Sequence, residues 1–423
     1  MTITINPQQI AASLGFPGSN SLLDTLAKSG RFPPVVLIVK PLQDPMDFSN
    51  PLQKFTVGVG GGELLLQSFL NYSFSSSILI PVDTFSFSFV TPDGPALNRQ
   101  VRCGDLVTLE ANGRTIATGI IDQTEVETDA TTGEKSTISG RDLLGQLEDQ
   151  DAISLYNKPI WLNSTSIRNG VMSLAENTRI TQIIERDAPG GSFLLGTDVG
   201  ESKLSALQRF LDPLNCTFWM GPNGELIVGK PNFKQPISGR IVLSKKDRIS
   251  NVISMNVIRA ATSIPNIVLP IWTGQEETVD RIQEKSALQN MAIEPNRLFK
   301  SGHKVPKTVV VSNPIADDRI SAPVVSSSLK AAGGDFLGNA ALREIARANV
   351  NEIIVQAVVP GHFNDNGEPF QVDTCYDVVY DRGDVDEKMY LFQVDYHMDS
   401  ERGQTTNLYF CRLGCIVAGV RAF

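Results

Sequence analysis

The heptapeptide TFSFSFV (Thr84–Val90) alternates phenylalanine with small hydroxyl residues along most of its length. Successive side chains of a β-strand point to opposite faces of the sheet, so this period of two places the phenylalanine rings together on one face. The stretch therefore predicts a strand that has one face in a hydrophobic core and a polar opposite face.

Two hairpins are predicted after this strand. Residues 105–122, DLVTLEANGRTIATGIID, hold Asn112 and Gly113 between two alternating runs. An Asn-Gly pair is a strong hairpin signal because both turn residues must reach positive φ. The runs QTEVET and KSTISG flank DATTGE as a second hairpin. Consecutive strands joined by short turns predict a meander that closes into a small barrel or sandwich and ends near Gly140.

The composition indicates several domains and argues against nucleic-acid binding. The chain has 423 residues, of which 41% are hydrophobic, which is too long for one compact core. Its formal net charge is −9, whereas a protein that grips DNA phosphates usually carries a basic face. The densest basic run is SKKDR, residues 244–248, which is typical of a solvated turn.

Neither a disulfide framework nor a membrane segment is expected. The cysteines are odd in number and fit no zinc-binding spacing, so we interpret them as buried thiols in a reducing compartment: Cys103, Cys216, Cys375, Cys411 and Cys415. The first residues, MTITINPQQIAASLG, lack the basic start and long apolar run of a signal peptide. No apolar stretch reaches the roughly 18 residues of a membrane span.

The rest of the chain divides into three further parts. Residues 1–52 are rich in proline and predict an extended arm, in which VVLIV is a short buried strand or an anchor. Residues 151–235 show two amphipathic helical patterns and a hairpin, which predict a small α+β domain. Residues 236–423 return to strands, with one long helix predicted at 335–352, an inserted segment at about 276–354 and a C-terminal hairpin.

No pattern of catalytic, cofactor-binding or metal-ligating residues is found. His303, His362 and His397 fit no zinc spacing, and we expect each in a surface or turn position. VGVGGGE, residues 57–63, lacks the last glycine of a dinucleotide fingerprint and the Lys and Ser/Thr of a phosphate loop, so a bulge or tight turn is expected.

Three groups of acids could in principle supply the carboxylate pair of a hydrolase. They fall on expected hairpin tips or after a helix, where solvated charge is the ordinary reading: Glu125, Glu127 and Asp129; Glu148, Asp149 and Asp151; Asp384, Asp386 and Glu387. No catalytic, cofactor or metal residue is therefore assigned, and the chain is not expected to be an enzyme.

The stretch STISGRDLLGQLEDQD, residues 136–151, is interpreted as a structural seam at the end of the first domain. We expect Gly140 to let the backbone turn and Arg141 to pair with a nearby carboxylate or carbonyl. Asp142 is expected to cap the short helical turn that follows, by accepting from its free N–H groups.

In the order of its pieces the chain resembles phage tail baseplate hub proteins, the group of the phage Mu hub protein and the late control protein D family. More distantly it resembles the hub part of type VI secretion spike proteins. The most recognisable run is residues 101–150, with its SGRD ending. Three other stretches carry the likeness: VGGGELLLQSFLNYSFSSSILIPVDTFSFSFV, SALQRFLDPLNCTFWMGPNGELIVGKP, and residues 342–381 with the hairpin after them. Together they span about residues 55–415 in family order, and residues 1–52 lie outside the resemblance.

This resemblance implies a β-rich α+β fold with two tail-tube-like β-barrel domains, an inserted small α+β domain and one long helix in the second half. The implied boundaries are 53–150 for the first barrel, 151–235 for the small domain and 236–423 for the second barrel. The implied function is that of a homotrimeric structural hub in the virion of a contractile-tailed phage, assembled in the host cytoplasm. Such a hub adapts the sixfold tail tube to the threefold central spike and leaves a channel for DNA ejection. Its implied partners are the tail tube protein, the spike, other baseplate proteins and the tape measure protein, with no cofactor.

Two other functions stay open at this point. Some hubs and spikes carry lytic domains, so the chain could be a tail-associated peptidoglycan hydrolase, which would need a carboxylate pair in a cleft. It could also be a carbohydrate- or protein-binding β module outside tails.

Overall fold

A computed structural model describes most of the chain from residue 64 onward, together with one strand before it. The described residues are 35–40, 64–66, 69–90, 101–111, 113–129, 133–153, 159–246, 249–259, 267–271, 311–312, 323–327, 350, 353–399 and 402–416.

The first part of the chain forms one half of a large, mostly antiparallel sheet. Phe85, Phe87 and Phe89 are buried in its core, whereas Ser86 lies on the opposite face, which confirms the alternation predicted from the sequence. The strands of this part are β1 (Val35–Lys40), β2 (Leu64–Leu66), β3 (Asn71–Ser77), β4 (Thr84–Val90), β5 (Leu106–Ala111), β6 (Arg114–Asp129) and β7 (Gly133–Asp142).

Strand β1 comes from the segment predicted as an arm, yet it belongs to this sheet. It pairs antiparallel with β5 on one side and with the short β2 on the other. The remaining order is β5-β6-β7-β4-β3. The VVLIV run is thus a sheet strand, and the rest of residues 1–52 lies outside the described residues.

A small unit of helices and short strands follows the first sheet. Leu144, Leu174, Leu207 and Phe218 belong to its own buried core, and β12 pairs with both β9 and β11. The elements are α1 (Gly145–Asp149), β8 (Trp161–Thr165), α2 (Ile167–Leu174), β9 (Ile183–Arg186), β10 (Phe193–Gly196), α3 (Lys203–Leu211), β11 (Thr217–Met220) and β12 (Leu226–Gly229).

Both longer helices of this unit begin at a serine cap. The Ser166 hydroxyl accepts from the Asn169 N–H, and the Ser202 hydroxyl accepts from the Ser205 N–H. Each bond satisfies one of the backbone donors that a helix leaves free at its start. The predicted α+β character of this segment is present in the structure.

The last part of the chain returns to strands. Its strands are β13 (Ile237–Ser244), β14 (Ile249–Ser250), β15 (Ser254–Arg259), β16 (Ile267–Ile271), β17 (Val311–Ser312), β18 (Pro323–Ser327), β19 (Ile353–Pro360), β20 (Thr374–Tyr380), β21 (Val385–Asp399) and β22 (Gly403–Arg412). Strands β16, β17 and β18 form a separate small sheet. The long helix predicted at residues 335–352 lies outside the described residues, apart from Val350.

The two halves of the large sheet are joined through one long strand, β21. Its first half pairs with β20, and its second half, after a register shift between Leu391 and Gln393, pairs with β3 of the first part. Along its other edge it pairs with β22. The same strand therefore belongs to both halves.

Each half contains the same five-strand arrangement. The first half has the order β5-β6-β7-β4-β3, and the second has β20-β21-β22-β19-β15, with every neighbouring pair antiparallel. The long strand of each set carries a register shift at the matching place, between Ile121 and Gln123 in β6 and between Leu391 and Gln393 in β21. The fold thus contains an internal repeat, which agrees with the two similar domains that the family resemblance implied and which no local sequence pattern indicates.

The β-rich fold class is confirmed, but uninterrupted barrels are not found. Strand β14 pairs with β13 and β15 pairs with β19. Between them the backbone N–H groups of Asn251 and Ile253 each donate one bond, to the Val242 and Val358 carbonyls, and the Asn251 side chain bonds the Val242 N–H and the Arg240 carbonyl. In the described parts of the chain the ladders therefore do not close into a barrel in either half. No helix among these residues is both long and apolar enough to cross a membrane.

Candidate functional site

The seam residues lie where the first sheet meets the small unit. The sequence analysis predicts a turn of the backbone at Gly140. In the structure Gly140 lies within β7, and the strand continues to Asp142. A Cβ atom at Gly140 would lie 2.0 Å from the Ile120 carbonyl oxygen and 2.5 Å from the Phe85 ring. Glycine therefore permits a close approach of β7 to β6, and the chain turns only after the strand ends.

Arg141 holds three carboxylates from two elements. Its guanidinium lies 2.7 Å from Asp122 of β6, and 3.0 Å and 2.6 Å from Glu148 and Asp149 of α1. Hydrogen bonds to Asp122 and Asp149 raise the pKa of Arg141. Two acids that might have served a hydrolase are thus engaged in an ion-pair network that fixes α1 against β6.

Asp142 forms a reciprocal clasp with Asp83, which lies just before β4. The Asp83 N–H donates to the Asp142 carboxylate at 3.2 Å, and the Asp142 N–H donates to the Asp83 carbonyl at 3.0 Å. Asp142 also accepts from the Leu144 N–H at 2.9 Å, in the turn that precedes α1. The carboxylate therefore satisfies backbone donors on both sides of the seam.

Both carboxyl groups are buried beside each other. Burial raises the pKa of Asp83 to about 7, and the nearby Asp395 adds to the effect while an N–H from Ser77 opposes it. Burial and the charge of Asp83 raise the pKa of Asp142 well above its usual range. No sequence pattern indicates a role for Asp83, because it is an isolated acid that acquires its contacts only when the chain folds against the seam.

These shifts predict how stability depends on pH. Asp83 binds its proton more tightly in the folded than in the unfolded chain, so its contribution is present below about pH 4 and is lost as pH rises through 7. We expect Asp83→Asn to become more favourable relative to wild type by about 4 kcal/mol between pH 4 and pH 8. Urea unfolding at both pH values measures this difference, and a difference that is independent of pH would contradict it.

His362 lies at a second contact between the halves of the sheet, where it is fully buried. Its ring contacts the Tyr72 hydroxyl of β3 and lies 2.8 Å from the Thr406 hydroxyl of β22. Burial lowers the pKa of His362 to about 3. His362 lies in the bend after β19, within the surface or turn position expected, but it is buried there because it satisfies two buried hydroxyls. His397 lies in β21, and His303 is outside the described residues.

A third contact joins the small unit to the second half of the sheet. Asp373 accepts from the Arg186 guanidinium of β9, from the Tyr390 hydroxyl at 2.6 Å and from the Asn232 N–H at 3.0 Å. The Asp373 side chain is only 2% exposed, and burial raises its pKa. Arg186 also lies over the Trp219 ring, at 5.9 Å from its centroid.

The Asp83–Asp142 and Arg186–Asp373 contacts border a cavity of about 280 Å³ between the sheet and the small unit. Asp83, Asp142, Arg186 and Asp373 are among the residues that line it. Their polar atoms bind backbone donors or each other, as described above. In the described residues no group of three or more His, Cys, Asp or Glu side chains is placed to hold a metal ion.

The remaining predicted residues lie in strands and turns. Gly113, at the tip between β5 and β6, has a φ of +70°, whereas Asn112 is outside the described residues. Glu125 and Glu127 are exposed on β6. Glu387 pairs with Arg412 at 3.2 Å. No two of these acids are brought together as a catalytic pair in the part of the chain that the structure describes.

One face of the large sheet is polar across both halves. A single register row runs through Ser139, Ser86, Ser73, His397 and Thr405, on β7, β4, β3, β21 and β22. The opposite face of the same strands carries the aromatic core, including the stacked rings of Phe74 and Tyr396. The Phe/Ser alternation that defined the first strand thus extends into a hydroxyl-rich row shared by both halves, in which Thr405 is buried and the other four residues are half-buried.

A comparison with protein families gives a match for the first part of the large sheet. Residues 55–142 match the family described as the N-terminal domain of the Mu phage baseplate assembly protein GpP-like. The predicted resemblance to phage baseplate hub proteins is confirmed. The match to the GpP-like domain ends at Asp142, which is also the last residue of β7 and of the seam. No curated protein matches the chain.

Solved structures share the fold beyond the GpP-like domain. A tail protein from Neisseria meningitidis is 19% identical, with a TM-score of 0.65 over 90% of this chain and 97% of its own. The 43 kDa tail protein of prophage MuSo2 from Shewanella oneidensis is 13% identical, with a TM-score of 0.67 over 90% and 99%. The c3393 protein of E. coli, a type VI secretion component, is 9% identical, with a TM-score of 0.50 over 92% and 78%.

Proposed function

We propose that this chain is the structural hub of a phage tail baseplate. It forms a homotrimer that joins the sixfold tail tube to the threefold central spike and leaves a channel for DNA. The observation that carries the proposal is the internal repeat, in which β5-β6-β7-β4-β3 and β20-β21-β22-β19-β15 have the same order and pairing. Two similar units in each of three chains present six similar units to a sixfold partner.

Each repeat is proposed to be a tube-like barrel. In the second half, β13 and β14 are proposed to complete the barrel. The proposed boundaries are those expected from the sequence, 53–150, 151–235 and 236–423, with the seam at Gly140, Arg141 and Asp142 between the first barrel and the small domain. The match to a baseplate family that ends at Asp142 supports the first boundary.

The polar face of the sheet is proposed to line the channel. It presents serine, threonine and histidine side chains in the register row described above. Phosphate-binding surfaces are built from clustered lysine and arginine. This row contains neither residue, and the basic residues on the same face of β7 are Lys135 and Arg141, of which Arg141 is paired with three carboxylates. A hydroxyl-rich face therefore fits DNA that moves past the protein without being held. The role is structural and requires no catalysis or cofactor.

The other proposed partners are the tail tube protein, the central spike, further baseplate proteins and the tape measure protein, within the virion of a contractile tail. The likeness to tail proteins and to a type VI secretion component supports this setting. The protein is proposed to assemble in the host cytoplasm.

Oligomeric state and symmetry test the proposed hub. Multi-angle light scattering of the purified full chain is expected to give the mass of a trimer, and electron microscopy of the assembled tail tip is expected to place three copies around the tube axis. A monomer that fails to bind the tube or spike protein would overturn the proposal. Clearing of cell-wall material by the purified chain would instead favour a hydrolase.

A further inference from the structure

Among the described residues, one edge of strand β6 has no strand partner over its second half. Up to Ile121 this edge is bonded to β5 and the residues that precede it. From Gln123 to Asp129 the structure gives β6 only one neighbour, β7, within the described residues. Val126, in the middle of this stretch, is 39% exposed. A long unpaired edge is a template for another strand.

The internal repeat shows how the equivalent edge is paired in the other half. In β21 the edge that bonds to β20 before the register shift bonds to β3 after it, from Gln393 to Met398. Because the register shifts match, and because Gln393 pairs with Tyr409 as Gln123 pairs with Ser139, residues 123–128 correspond to 393–398. The second half of β6 is therefore the counterpart of a strand segment that is paired.

The counterpart of β3 in the second half is β15. Each is the outermost strand of its repeat, antiparallel to β4 or to β19. Following the ladders strand by strand from β21 makes Asn256 equivalent to Ser73, and so Val257 equivalent to Phe74. On its other side β15 has no strand partner in the part of the chain that the structure describes.

These two edges do not pair with each other in the described part of the chain. They terminate a run of eight strands, β6-β7-β4-β3-β21-β22-β19-β15, at opposite ends. Two different patches that match each other but lie at opposite ends of a subunit form a head-to-tail contact, which closes into a ring when the rotation permits.

We propose that Thr124–Thr128 of β6 pair antiparallel with Met255–Arg259 of β15 in a second copy of this chain, with Val126 opposite Val257. This inference rests on the proposed trimer and names its subunit contact. The register is that of the β21–β3 ladder, in which Tyr396 lies opposite Phe74 and the two rings are stacked at 5.8 Å. The contact between copies thus repeats the contact between halves.

The exposed side chains agree with this pairing. Val126 corresponds to Tyr396, which is 2% exposed because β3 covers it, and Ile258 of β15 is 47% exposed. In the proposed register Ile258 lies opposite Glu125 and packs against its methylene groups. Pairing would cover apolar surface at both edges and satisfy the backbone groups of each.

Disulfide trapping tests the register. Val126→Cys and Val257→Cys are combined in a Cys103→Ser background, because Cys103 is the exposed cysteine among the five. Directly opposed residues of antiparallel strands lie within disulfide reach. Mild oxidation is therefore expected to give dimers and trimers linked by disulfides on a non-reducing gel, and each single-cysteine variant is expected to stay unlinked.

The matched control is Val126→Cys with Asn256→Cys, because a shift of one residue moves the second thiol to the other face of the strand. Equal cross-linking by both pairs, or none by the first, would overturn the inference. Light scattering on the same samples separates the two proposals. A trimer without the cross-link leaves the hub intact and rejects this contact, whereas a monomer rejects the hub as well.

Discussion

Replacing Gly140 with alanine is expected to lower the free energy of unfolding by about 3 kcal/mol, because overpacking against a fixed backbone leaves no easy relaxation. The new methyl group would lie 2.0 Å from the Ile120 carbonyl oxygen and 2.5 Å from the Phe85 ring. The β6–β7 ladder would have to separate at the place where it joins the seam. Urea unfolding followed by circular dichroism measures the loss.

Gly239→Ala is the matched control, since Gly239 also lies in a strand, β13. There the added atom would meet the Tyr376 ring at 3.3 Å and the Asn364 Cβ at 3.9 Å, and a side chain can shift where a backbone carbonyl cannot. We expect a cost below about 1 kcal/mol for this variant. Equal losses for the two variants would show that the close approach at Gly140 carries no special cost.

Asp373→Ala is expected to destabilise the chain by about 3 kcal/mol, because three donors lose one acceptor in a buried site. The Tyr390 hydroxyl and the Asn232 N–H would be left without this acceptor, and the Arg186 guanidinium would lose its ion pair. Asp373 also has a φ of +59°, a conformation that alanine adopts less readily than aspartate. The loss is measured by urea unfolding at neutral pH.

Asp373→Asn provides the comparison for this site. Asparagine tolerates the same backbone conformation and keeps an oxygen for the hydroxyl and the N–H, so only the charge facing Arg186 is removed. We expect it to cost about 1 kcal/mol, given that Arg186 is 42% exposed and its ion pair is partly screened. If alanine and asparagine were equally destabilising, charge rather than hydrogen bonding would dominate the link.

The local features of the fold were predictable from the sequence. The period of two in β4 and the Asn-Gly turn after β5 depend on neighbours in the chain, and the structure has a strand and a two-residue connection at those places. The apolar stripe of α3 likewise predicted a helix, which runs from Lys203 to Leu211. Such patterns are visible because a sheet or helix repeats at a fixed spacing.

The long-range features were not predictable. The five-strand repeat is defined by which strands pair, and its two copies bury different residues at equivalent places, such as Phe74 and Val257. The Asp83–Asp142 clasp and the burial of His362 join residues that are 59 and 290 positions from their partners. No local periodicity records such contacts, so neither the burial of His362 nor the role of Asp83 could be predicted from the sequence.

Strand β21 gives the molecule a mechanical property. Because β20 pairs with its first half and β3 with its second, a single covalent backbone crosses from one repeat to the other. Force applied along the strand at one repeat loads the hydrogen bonds of both ladders together in shear, instead of opening them one at a time. The two repeats are therefore expected to rotate together and to resist deformation as one rigid unit.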